Sequence, residues 1–548
     1  MSVPPPATIA GMNTAMTDVA DLVTDAAAES PDKLALVESG GRSMTWAEVE
    51  DEVGRVATGL GALGVVAGHR VLIALSNRIE FVTTYLGVLR AQVVAVPVNP
   101  RATAHEMARM IADSGARVVV ADAGSAEKVR EAAGLVTRAL DGDLGPLGEA
   151  DADLLERAVA PRIVVVGAEP RAGETTYDEL RATPARPVPP LRDPDKLATL
   201  LYTSGASGRP RAAMLTHRAM LANIVQVAQV DPPMIHGDDV VLGVLPLFHV
   251  YGLNAVLGGV LRHRAKLVLV DRFDPQGVLD LIEDEACSVI PLAPPVFAHW
   301  ATEEQLKERL GPVRLVLCGS APLSTDMVDD FTARTGLPVH QGYGLTEASP
   351  VVTSTLCSDE LRAGSVGSAL PGISIRLVDD DGKAPEGEDP GEIQIAGDNL
   401  FSGYWPDGSR GPDQDGWWAT GDVGFLDATG DLYLVDRVKD LIIVSGFNVY
   451  PIEVEEVVGE VDGVLAAAVV GAPNQETGES VVAYVQAPGA DPEAVTAAVR
   501  AHCEERLARF KQPSRIQVVD ALPLTVTGKV QKGRLRGLER RRVMDLLG

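Results

Sequence analysis

The sequence predicts an α/β protein whose parallel strands are covered by helices, followed by a smaller β-subdomain. The first observation is the alternation of short apolar runs with amphipathic segments between Val71 and Ala121. Strands and helices that alternate in this way form parallel sheets. The second is a change from Gly367 onward to short strands with tight turns, which indicates a β-subdomain. Because 548 residues exceed one hydrophobic core, we expect several structural units.

The first elements follow an N-terminal tail that we expect to extend to residue 30. Lys33 to Glu38 and Arg42 to Thr45 predict a hairpin, and Thr45 with Glu48 forms the pattern of a capping box that starts a helix. The alternation then consists of a strand at 71–75, a helix at 80–89, a strand at 93–98, a helix at 104–114 and a strand at 117–121. Between 122 and 194 the pattern loosens, with one clear strand at 163–166 and a linker at 184–194.

The stretch from Tyr202 to His217 follows the apolar run Leu197 to Leu201 and is rich in glycine, hydroxyl and arginine side chains. Glycines let a backbone approach an anion, while hydroxyls and guanidinium groups donate hydrogen bonds to it. The candidate phosphate contacts here are Thr203, Ser204, Gly205, Ser207, Gly208, Arg209 and Arg211. The Walker A pattern is absent, which disfavours a P-loop ATPase. For the stretch alone, an ordinary surface loop is the alternative.

Two further turns follow predicted strands, at Gly319 to Leu323 and at His340 to Glu347. Open α/β sheets bind ligands where their strands end. In the second turn Tyr343 offers a flat face for a purine, Thr346 a hydroxyl for a phosphate, and Glu347 a carboxylate for Mg²⁺. Ordinary strand-helix turns are the alternative.

Composition and charge limit the class of protein. The chain has 46% hydrophobic and 23% charged residues, as soluble globular proteins do. The formal net charge of −28 argues against a nucleic-acid partner. We expect no secretory signal and no transmembrane segment, and four scattered cysteines favour the cytoplasm. Peripheral membrane contact and the oligomeric state stay open.

Taken in order, these motifs resemble the signature of the adenylate-forming superfamily, which includes acyl-CoA synthetases, luciferases and nonribosomal adenylation domains. The resemblance begins near Asp32 and covers nearly the whole chain. The usual loop reads Tyr-Thr-Ser-Gly-Thr-Thr-Gly-x-Pro-Lys-Gly. Here Ala206 and Ser207 replace the two threonines, and Arg211 with Ala212 replaces Lys-Gly. Arginine keeps the charge but presents a planar fork in place of an ammonium.

The resemblance implies a role for each matching residue. The residues expected to hold ATP or CoA are Thr203, Ser204, Gly205, Ala206, Ser207, Gly208, Arg211, Gly319, Ser320, Ala321, Pro322, Gln341, Gly342, Tyr343, Gly344, Thr346, Asp422, Arg437, Lys439, Gly446 and Lys529. Glu347 and Thr203 are expected to bind Mg²⁺. The expected catalytic residues are Lys529, His249, Thr346 and Glu347, and the expected acyl-pocket residues are His249, Tyr251 and Ala255.

Three of these assignments have a plainer alternative in the residues alone. His249 follows apolar residues and would ordinarily be a packed core histidine. Asp422 and Arg437, which can hold the two ribose hydroxyls, would otherwise form a surface ion pair. Lys529, in a Thr-Gly-Lys turn near a basic C-terminus, would otherwise be solvated.

The resemblance also implies a division into domains. Residues 1–436 are expected to form an N-terminal domain that binds ATP and the acyl group, made of doubly wound sheets with the β-subdomain at 367–436. Residues 437–440 are the expected hinge, with Lys439 at its centre. Residues 441–548 are expected to form a small, mobile α+β C-terminal domain.

The implied activity is that of an ATP-dependent acyl-CoA ligase. A carboxylate attacks the α-phosphate of Mg·ATP to give an acyl-adenylate and pyrophosphate, and the thiol of CoA then displaces AMP. We expect a medium- or long-chain fatty acid; an aryl acid is the alternative. A carrier-protein thiol is the alternative acceptor. Amino-acid activation is disfavoured because no acidic residue lies between Pro246 and Ala255 to meet an ammonium group. The non-enzymatic alternative is a silent nucleotide-binding scaffold, which Arg211 alone favours.

Overall fold

The computed structural model describes residues 16–143, 149–204, 210–319, 323, 325–379, 382–385, 391–437, 442–449 and 451–523, together with residues 530, 532, 535, 536, 538, 539 and 542. Two seven-stranded sheets form the larger part of the described chain. The first sheet has the strand order Thr175–Thr176, Arg162–Val166, Val118–Asp122, Arg70–Ala74, Val94–Pro97, Leu197–Ser204 and Pro210–Thr216. The second has the order Val339–Gln341, Leu315–Cys318, Val289–Leu292, Val240–Gly243, Lys266–Leu269, Leu34–Glu38 and Ser43–Thr45.

In each large sheet the last strand pair is an antiparallel hairpin, and all other pairs are parallel. Helices cover the strands on both sides. The α-helices are Asp21–Glu29, Trp46–Ala62, Ile79–Arg90, Ala104–Ser114, Ala126–Leu140, Tyr177–Leu180, His217–Ala228, Gly258–His263, Pro275–Asp284, Pro294–Trp300, Leu306–Arg309, Thr325–Thr335, Pro451–Gly459 and Pro492–Arg506. The 3₁₀-helices are Glu149–Glu156, Thr346–Ala348, Thr355–Cys357 and Arg509–Lys511, and Tyr251–Leu257 is a π-helix. The expected α/β class with doubly wound sheets is confirmed.

The helix Ile79–Arg90 lies between the two large sheets, where it contacts strands of both. Nearly all of its side chains are buried, and most of them are apolar or uncharged, as expected for a helix inside the core. The largest core cluster combines this helix with inward-facing residues of both sheets, such as Val71 and Leu267. Two further clusters bury the outer faces: one lies under the helices Ala104–Ser114 and Ala126–Leu140, the other under Pro275–Asp284.

Smaller sheets follow in the second half of the chain. The antiparallel strands Ser374–Val378, Gly391–Ala396, Trp417–Leu426 and Leu432–Arg437 form a four-stranded sheet. Thr353–Ser354 pairs with Ser368–Ala369. A five-stranded sheet contains Phe447–Val449, Ile442–Val444, Gly478–Gln486, Ala466–Asn474 and Arg515–Val519, and helices pack on it in the α+β manner.

Predictions of individual strands and helices were correct where the sequence pattern was strong. The hairpin of Leu34–Glu38 with Ser43–Thr45 is confirmed, as is the capping box at Thr45, whose hydroxyl accepts from the N–H of Glu48. The prediction of a tail up to residue 30 is wrong in part, because residues 21–29 form the helix Asp21–Glu29, which buries Leu22, Val23 and Ala26. The helix Ala126–Leu140 was missed inside the loosened region. Its buried face consists mostly of alanines, which carry a weak hydrophobic signal.

Polar contacts tie the C-terminal part to the helix Ala104–Ser114. Lys511 Nζ lies 3.1 Å from Glu106 Oε1 and 2.7 Å from Glu453 Oε1. Burial opposes ionisation of Glu106, but the Lys511 ammonium and neighbouring backbone N–H groups hold its pKa below its ordinary value. Arg506 Nη1 also lies 3.0 Å from His105 Nε2. We call Glu106, Lys511 and Glu453 the interface cluster.

No helix within the described ranges is long and apolar enough to cross a membrane.

Because the helix Ile79–Arg90 lies at the centre of the fold, we expect the fold to be most sensitive to substitutions of its buried side chains. Phe81 is fully buried in it, whereas Val66 is 58% exposed in a loop. We expect Phe81→Ala to lower the free energy of unfolding by about 3 to 5 kcal/mol, because the cavity left behind adds to the lost burial. Val66→Ala is the control and should change it by less than about 0.5 kcal/mol. Urea unfolding followed by circular dichroism measures both, and equal losses would contradict the central placement.

Candidate active site

A cavity of about 460 Å³ opens at the edge where two neighbouring parallel strands of the second large sheet end. Leu315–Cys318 leads into Gly319, and Val339–Gln341 leads into the segment that ends at Glu347. Parallel strands place their carboxyl ends at one edge, so two turns distant in sequence meet there. The strands Leu197–Ser204 and Trp417–Leu426 close the other walls.

The structure brings most of the predicted residues to this one cavity. The predicted residues that line it are Thr203, Arg211, His249, Tyr251, Ala255, Gly319, Gln341, Gly342, Tyr343, Gly344, Thr346, Glu347, Asp422 and Gly446. The strands containing Ser204 and Arg437 are described, but their side chains are not. The predicted residues that lie outside the described ranges are Gly205, Ala206, Ser207, Gly208, Arg209, Ser320, Ala321, Pro322, Lys439 and Lys529.

A buried hydrogen bond joins two of the predicted nucleotide contacts. Tyr343 donates its hydroxyl to Asp422 Oδ2 at 2.7 Å, and both residues are buried. Asp422 lies directly opposite Arg437 in the antiparallel pair, which places a carboxylate beside a guanidinium-bearing position. This arrangement combines an aromatic ring with an acceptor for hydroxyl groups.

Two glycines let the backbone beside Tyr343 pack closely. A Cβ at Gly342 would lie 2.6 Å from the carbonyl oxygen of Thr353, and one at Gly344 would lie 2.4 Å from that of Pro350. Real Cβ atoms do not approach so closely, so larger residues would displace the turn. The ring of Tyr343 depends on these glycines for its position.

Glu347 supplies a buried carboxylate to the same cavity. Its Oε1 accepts a hydrogen bond of 2.6 Å from the hydroxyl of Tyr404. Among the described residues, no group of three or more His, Cys, Asp or Glu side chains is arranged to hold a metal ion. Mg²⁺ is ordinarily held by one or two carboxylates together with substrate phosphates. One carboxylate and the hydroxyl of Thr203, which lines the same cavity, fit that ligand set.

Arg211 faces the cavity from the strand Pro210–Thr216, opposite Thr203 in the register of the hairpin. Its guanidinium carbon lies 5.7 Å from the centre of the Tyr404 ring. Burial lowers the pKa of Arg211 from its ordinary value, and the nearby Arg410 lowers it further. Two cations at one cavity wall repel each other, and an anion between them would relieve that repulsion.

His249 and Tyr251 line the cavity where the π-helix Tyr251–Leu257 begins. Burial lowers the pKa of His249 to about 4, so the imidazole is neutral at physiological pH. Burial also raises the pKa of Tyr251, which stays a neutral phenol. A Cβ at Gly319 would lie 3.0 Å from the Tyr251 ring, so a glycine there leaves room for it.

Beyond Tyr251 the cavity becomes an apolar lobe. We define the apolar lobe by its aliphatic lining residues, Val227, Met234, Ile235, Val241, Val256 and Val289. A narrower space continues past Val227 and Ile235 toward Gly259 and His263. The side-chain amides of Asn223 and Asn254 at this end already donate to backbone carbonyls. The lobe fits an apolar group.

Gly446 reaches the cavity from the C-terminal part. It lies at the tip of the hairpin that joins Ile442–Val444 to Phe447–Val449, where Ser445 has φ +52° and Gly446 φ +81°. Positive φ at both central residues is typical of the tightest hairpin turn, and glycine adopts it without strain. The five-stranded sheet thus contributes backbone to the cavity wall.

Sequence reasoning missed several cavity residues, above all Tyr404, Arg410 and the members of the apolar lobe. The sequence around Tyr404 indicated only a short β-element. Its contact with Glu347 depends on tertiary packing across 57 residues, which no local pattern encodes.

Comparisons with known proteins agree with this geometry. The sequence pattern of AMP-binding enzymes matches residues 23–405, and that of the AMP-binding enzyme C-terminal domain matches residues 453–529. A 4-coumarate–CoA ligase-like protein of Oryza sativa subsp. japonica is 33% identical over 94% of this chain and 92% of its own length. A long-chain-fatty-acid–CoA ligase of Bacillus subtilis is 30% identical, over 94% of this chain and 93% of its own.

A solved structure extends the likeness to the fold. The amide bond synthetase McbA from Marinactinospora thermotolerans superposes with a TM-score of 0.79 at 29% identity, covering 95% of this chain and 99% of its own. AMP-forming CoA ligases use ATP, Mg²⁺ and CoA. With both family patterns matched in order and relatives aligned over nearly their whole length, the chain belongs to the AMP-binding enzymes, the adenylate-forming superfamily, within its acyl-CoA ligase branch.

Proposed function

We propose that the protein joins a medium- or long-chain fatty acid to CoA through an acyl-adenylate. The observation that carries this proposal is the shared cavity, in which a buried carboxylate, a tyrosine–aspartate pair and an apolar lobe converge. Each of these features suits a different part of the reaction. The acid, the nucleotide and the thiol would meet at their junction.

In the first half-reaction, we assign the nucleotide to the side of Tyr343. The ring would pack on adenine, and Asp422 with Arg437 would bind the ribose hydroxyls. Thr346, Arg211 and the loop at 203–208 would donate to the phosphates. The backbone of Gly319 and of residues 341–344, together with Ser320, Ala321 and Pro322 as assigned from their motif alone, would complete the nucleotide contacts.

Glu347 and Thr203 would hold Mg²⁺, which when bound would neutralise phosphate charge. Adenylyl transfer is mostly positioning plus electrostatic stabilisation, so fixed oxygen ligands matter more than covalent chemistry. Lys529, assigned from its motif, would bridge the carboxylate and the α-phosphate. His249 is neutral, so it would gate the acyl pocket without placing a charge beside the acid.

The apolar lobe supports an aliphatic acid. Its walls are aliphatic, and the amides of Asn223 and Asn254 already have acceptors. Their N–H groups are therefore already used and would not donate to a hydroxyl on a bound aromatic ring. An aryl acid is the second candidate, because a relative named as 4-coumarate–CoA ligase-like matches nearly the whole chain.

The second half-reaction would need a different domain arrangement. We propose that residues 441–548 rotate about a hinge at 437–440, centred on Lys439, relative to residues 1–436 with their β-subdomain at 367–436. The described arrangement has Gly446 in the cavity wall and the interface cluster formed, which suits thioester formation. A side chain at position 446 would crowd the pantetheine arm.

The thiol acceptor and the enzymatic activity proposed here each have an alternative. A carrier-protein thiol would replace CoA if the cavity wall at Gly446 leaves room for a tethered pantetheine. A silent scaffold would bind ATP without releasing pyrophosphate. In the tests below, release of pyrophosphate without formation of acyl-CoA would favour the carrier-protein thiol, and absence of pyrophosphate release would favour the scaffold.

The acid is tested by a series of saturated fatty acids of increasing length. We expect kcat/KM to rise about fourfold per added methylene until the apolar lobe is full, because burying each methylene contributes about 0.8 kcal/mol. An acid of the same length with a second carboxylate at its far end is the matched control and should react poorly. AMP and acyl-CoA are measured by chromatography. Faster reaction of 4-coumarate than of every fatty acid would favour the aryl candidate.

The phosphate role of Arg211 is tested by two substitutions. We expect Arg211→Lys to retain activity within about tenfold, because it keeps the charge, and Arg211→Ala to raise the apparent KM for ATP. Arg218 pairs with Asp195 on the surface, so Arg218→Ala is the control. Pyrophosphate release measures all three. Unchanged ATP kinetics in Arg211→Ala would remove this residue from the phosphate site.

The half-reactions are separated by Lys529→Ala and Gly446→Trp. We expect the first to abolish adenylate formation, at a cost of about 3 kcal/mol or more, yet to transfer acyl from a supplied acyl-adenylate to CoA. The second should form the adenylate but fail with CoA. Lys532, which pairs with Glu455, offers Lys532→Ala as a control.

Single-turnover assays with synthetic acyl-adenylate decide between these patterns. Loss of both half-reactions in folded Lys529→Ala would contradict the two-state proposal. Normal thioester formation by Gly446→Trp would mean that the thiol of CoA reaches the acyl-adenylate by a path that does not pass Gly446.

A further inference from the structure

We propose that Tyr404 is a positioning residue that holds the carboxylate of Glu347 and the guanidinium of Arg211 in one fixed geometry. This inference rests on the proposed function, in which Glu347 faces Mg²⁺ and Arg211 faces the phosphates of ATP. Tyr404 contacts both side chains at once. It would therefore couple the metal site to the phosphate site.

The backbone around Tyr404 is fastened to both sites. We call residues 401–405 the connecting segment. On one side its first residue, Phe401, donates its N–H to the carbonyl of Glu347 at 2.8 Å. On the other side the segment pairs with the strand that carries Arg211. The bonds of that pairing run from Ser402 N to Met214 O (3.0 Å), from Met214 N to Gly403 O (3.0 Å) and from Trp405 N to Ala212 O (2.9 Å).

A sharp turn directs Tyr404 into the cavity. Gly403 has φ +100°, and a Cβ there would lie 2.1 Å from the carbonyl oxygen of Gly408. Only glycine fits such a position. The N–H of Tyr404 donates to the carbonyl of Ser409 at 3.0 Å, which closes the turn. The backbone thus fixes the direction in which the Tyr404 side chain leaves the segment.

The side chain of Tyr404 is fixed by packing as well. Its ring meets that of Phe401 edge to face, with centroids 5.0 Å apart, and Phe401 is 1% exposed. From this held ring the hydroxyl donates to Glu347 Oε1 at 2.6 Å, and the face of the ring lies 5.7 Å from the Arg211 guanidinium carbon. The hydroxyl fixes the orientation of an anion, while the ring face attracts a cation.

The two functions of the side chain can be separated by substitution. Tyr404→Phe removes the hydroxyl and keeps the ring, so Glu347 loses this hydrogen bond while Arg211 keeps its cation–π contact. Tyr404→Leu removes both. Tyr433 stacks on Phe425 in the four-stranded sheet and does not line the cavity, so Tyr433→Phe is the matched control for loss of a phenol hydroxyl.

Binding of ATP, measured by calorimetry with and without Mg²⁺, gives a readout independent of turnover. In the wild type we expect Mg²⁺ to tighten ATP binding. In Tyr404→Phe that tightening should shrink by about tenfold, the scale of one hydrogen bond to a charged group, while affinity for metal-free ATP stays within about twofold. Tyr404→Leu should in addition weaken metal-free ATP by a few-fold, because Arg211 loses the ring. Tyr433→Phe should match the wild type.

Kinetics give a second readout. The Mg²⁺ concentration that half-activates pyrophosphate release should rise in Tyr404→Phe, and saturating Mg²⁺ should restore most of kcat. Equal Mg²⁺ dependence in Tyr404→Phe and the wild type would overturn the proposal, as would equal affinity for metal-free ATP in Tyr404→Leu and Tyr404→Phe.

The design separates this inference from the proposed function. A wild type that binds Mg·ATP normally but makes no acyl-CoA from any acid would refute the proposed activity and leave the Tyr404 coupling measurable. A wild type whose ATP binding ignores Mg²⁺ would overturn both.

Discussion

Two carboxylates buried in the wall of one cavity, Asp422 and Glu347, set the constraint on which the site depends. A buried carboxylate is costly unless donors satisfy it. In both cases a tyrosine hydroxyl is a donor: Tyr343 bonds Asp422 and Tyr404 bonds Glu347. Each tyrosine comes from a segment remote in sequence from its carboxylate. Asp422 can therefore be buried with its donor only when the strand Trp417–Leu426 meets the turn at Tyr343, and Glu347 only when the connecting segment is in place.

The sequence predicted the parts of the fold and site that depend on local chemistry. Alternating strands and helices predicted the α/β class, and residues at strand ends, such as Gly319 and Glu347, line the cavity. The helix Asp21–Glu29 was missed because short apolar stretches near a terminus gain order only by packing on a core. Tyr404 was missed because its partners lie on other segments. Hydrophobic pattern encodes elements, whereas pairing between distant side chains is decided by packing.

The apolar lobe, which would select the acid, shows the same limit of prediction from sequence. Its members come from a helix, two strands, a loop and a π-helix, and none belongs to a motif. Nucleotide chemistry is the same for every acid, so one set of fixed residues can serve it. The acid side only has to match shape and apolar surface, which many combinations of aliphatic residues achieve. Relatives that are named for different acids can thus belong to one family.

The interface cluster has a consequence for how fast such an enzyme can cycle. Lys511 is held between Glu106 of the large part and Glu453 of the C-terminal part. If the C-terminal part rotates as proposed, Lys511 must leave Glu106 at every turnover, and both groups must regain their hydration shells. Because breaking such a contact is slow and remaking it is favourable, the interface cluster would stabilise the thioester-forming arrangement. The rate at which the cluster breaks would then set the lifetime of that arrangement. The turnover number, kcat, would then depend on three charged side chains that do not line the cavity.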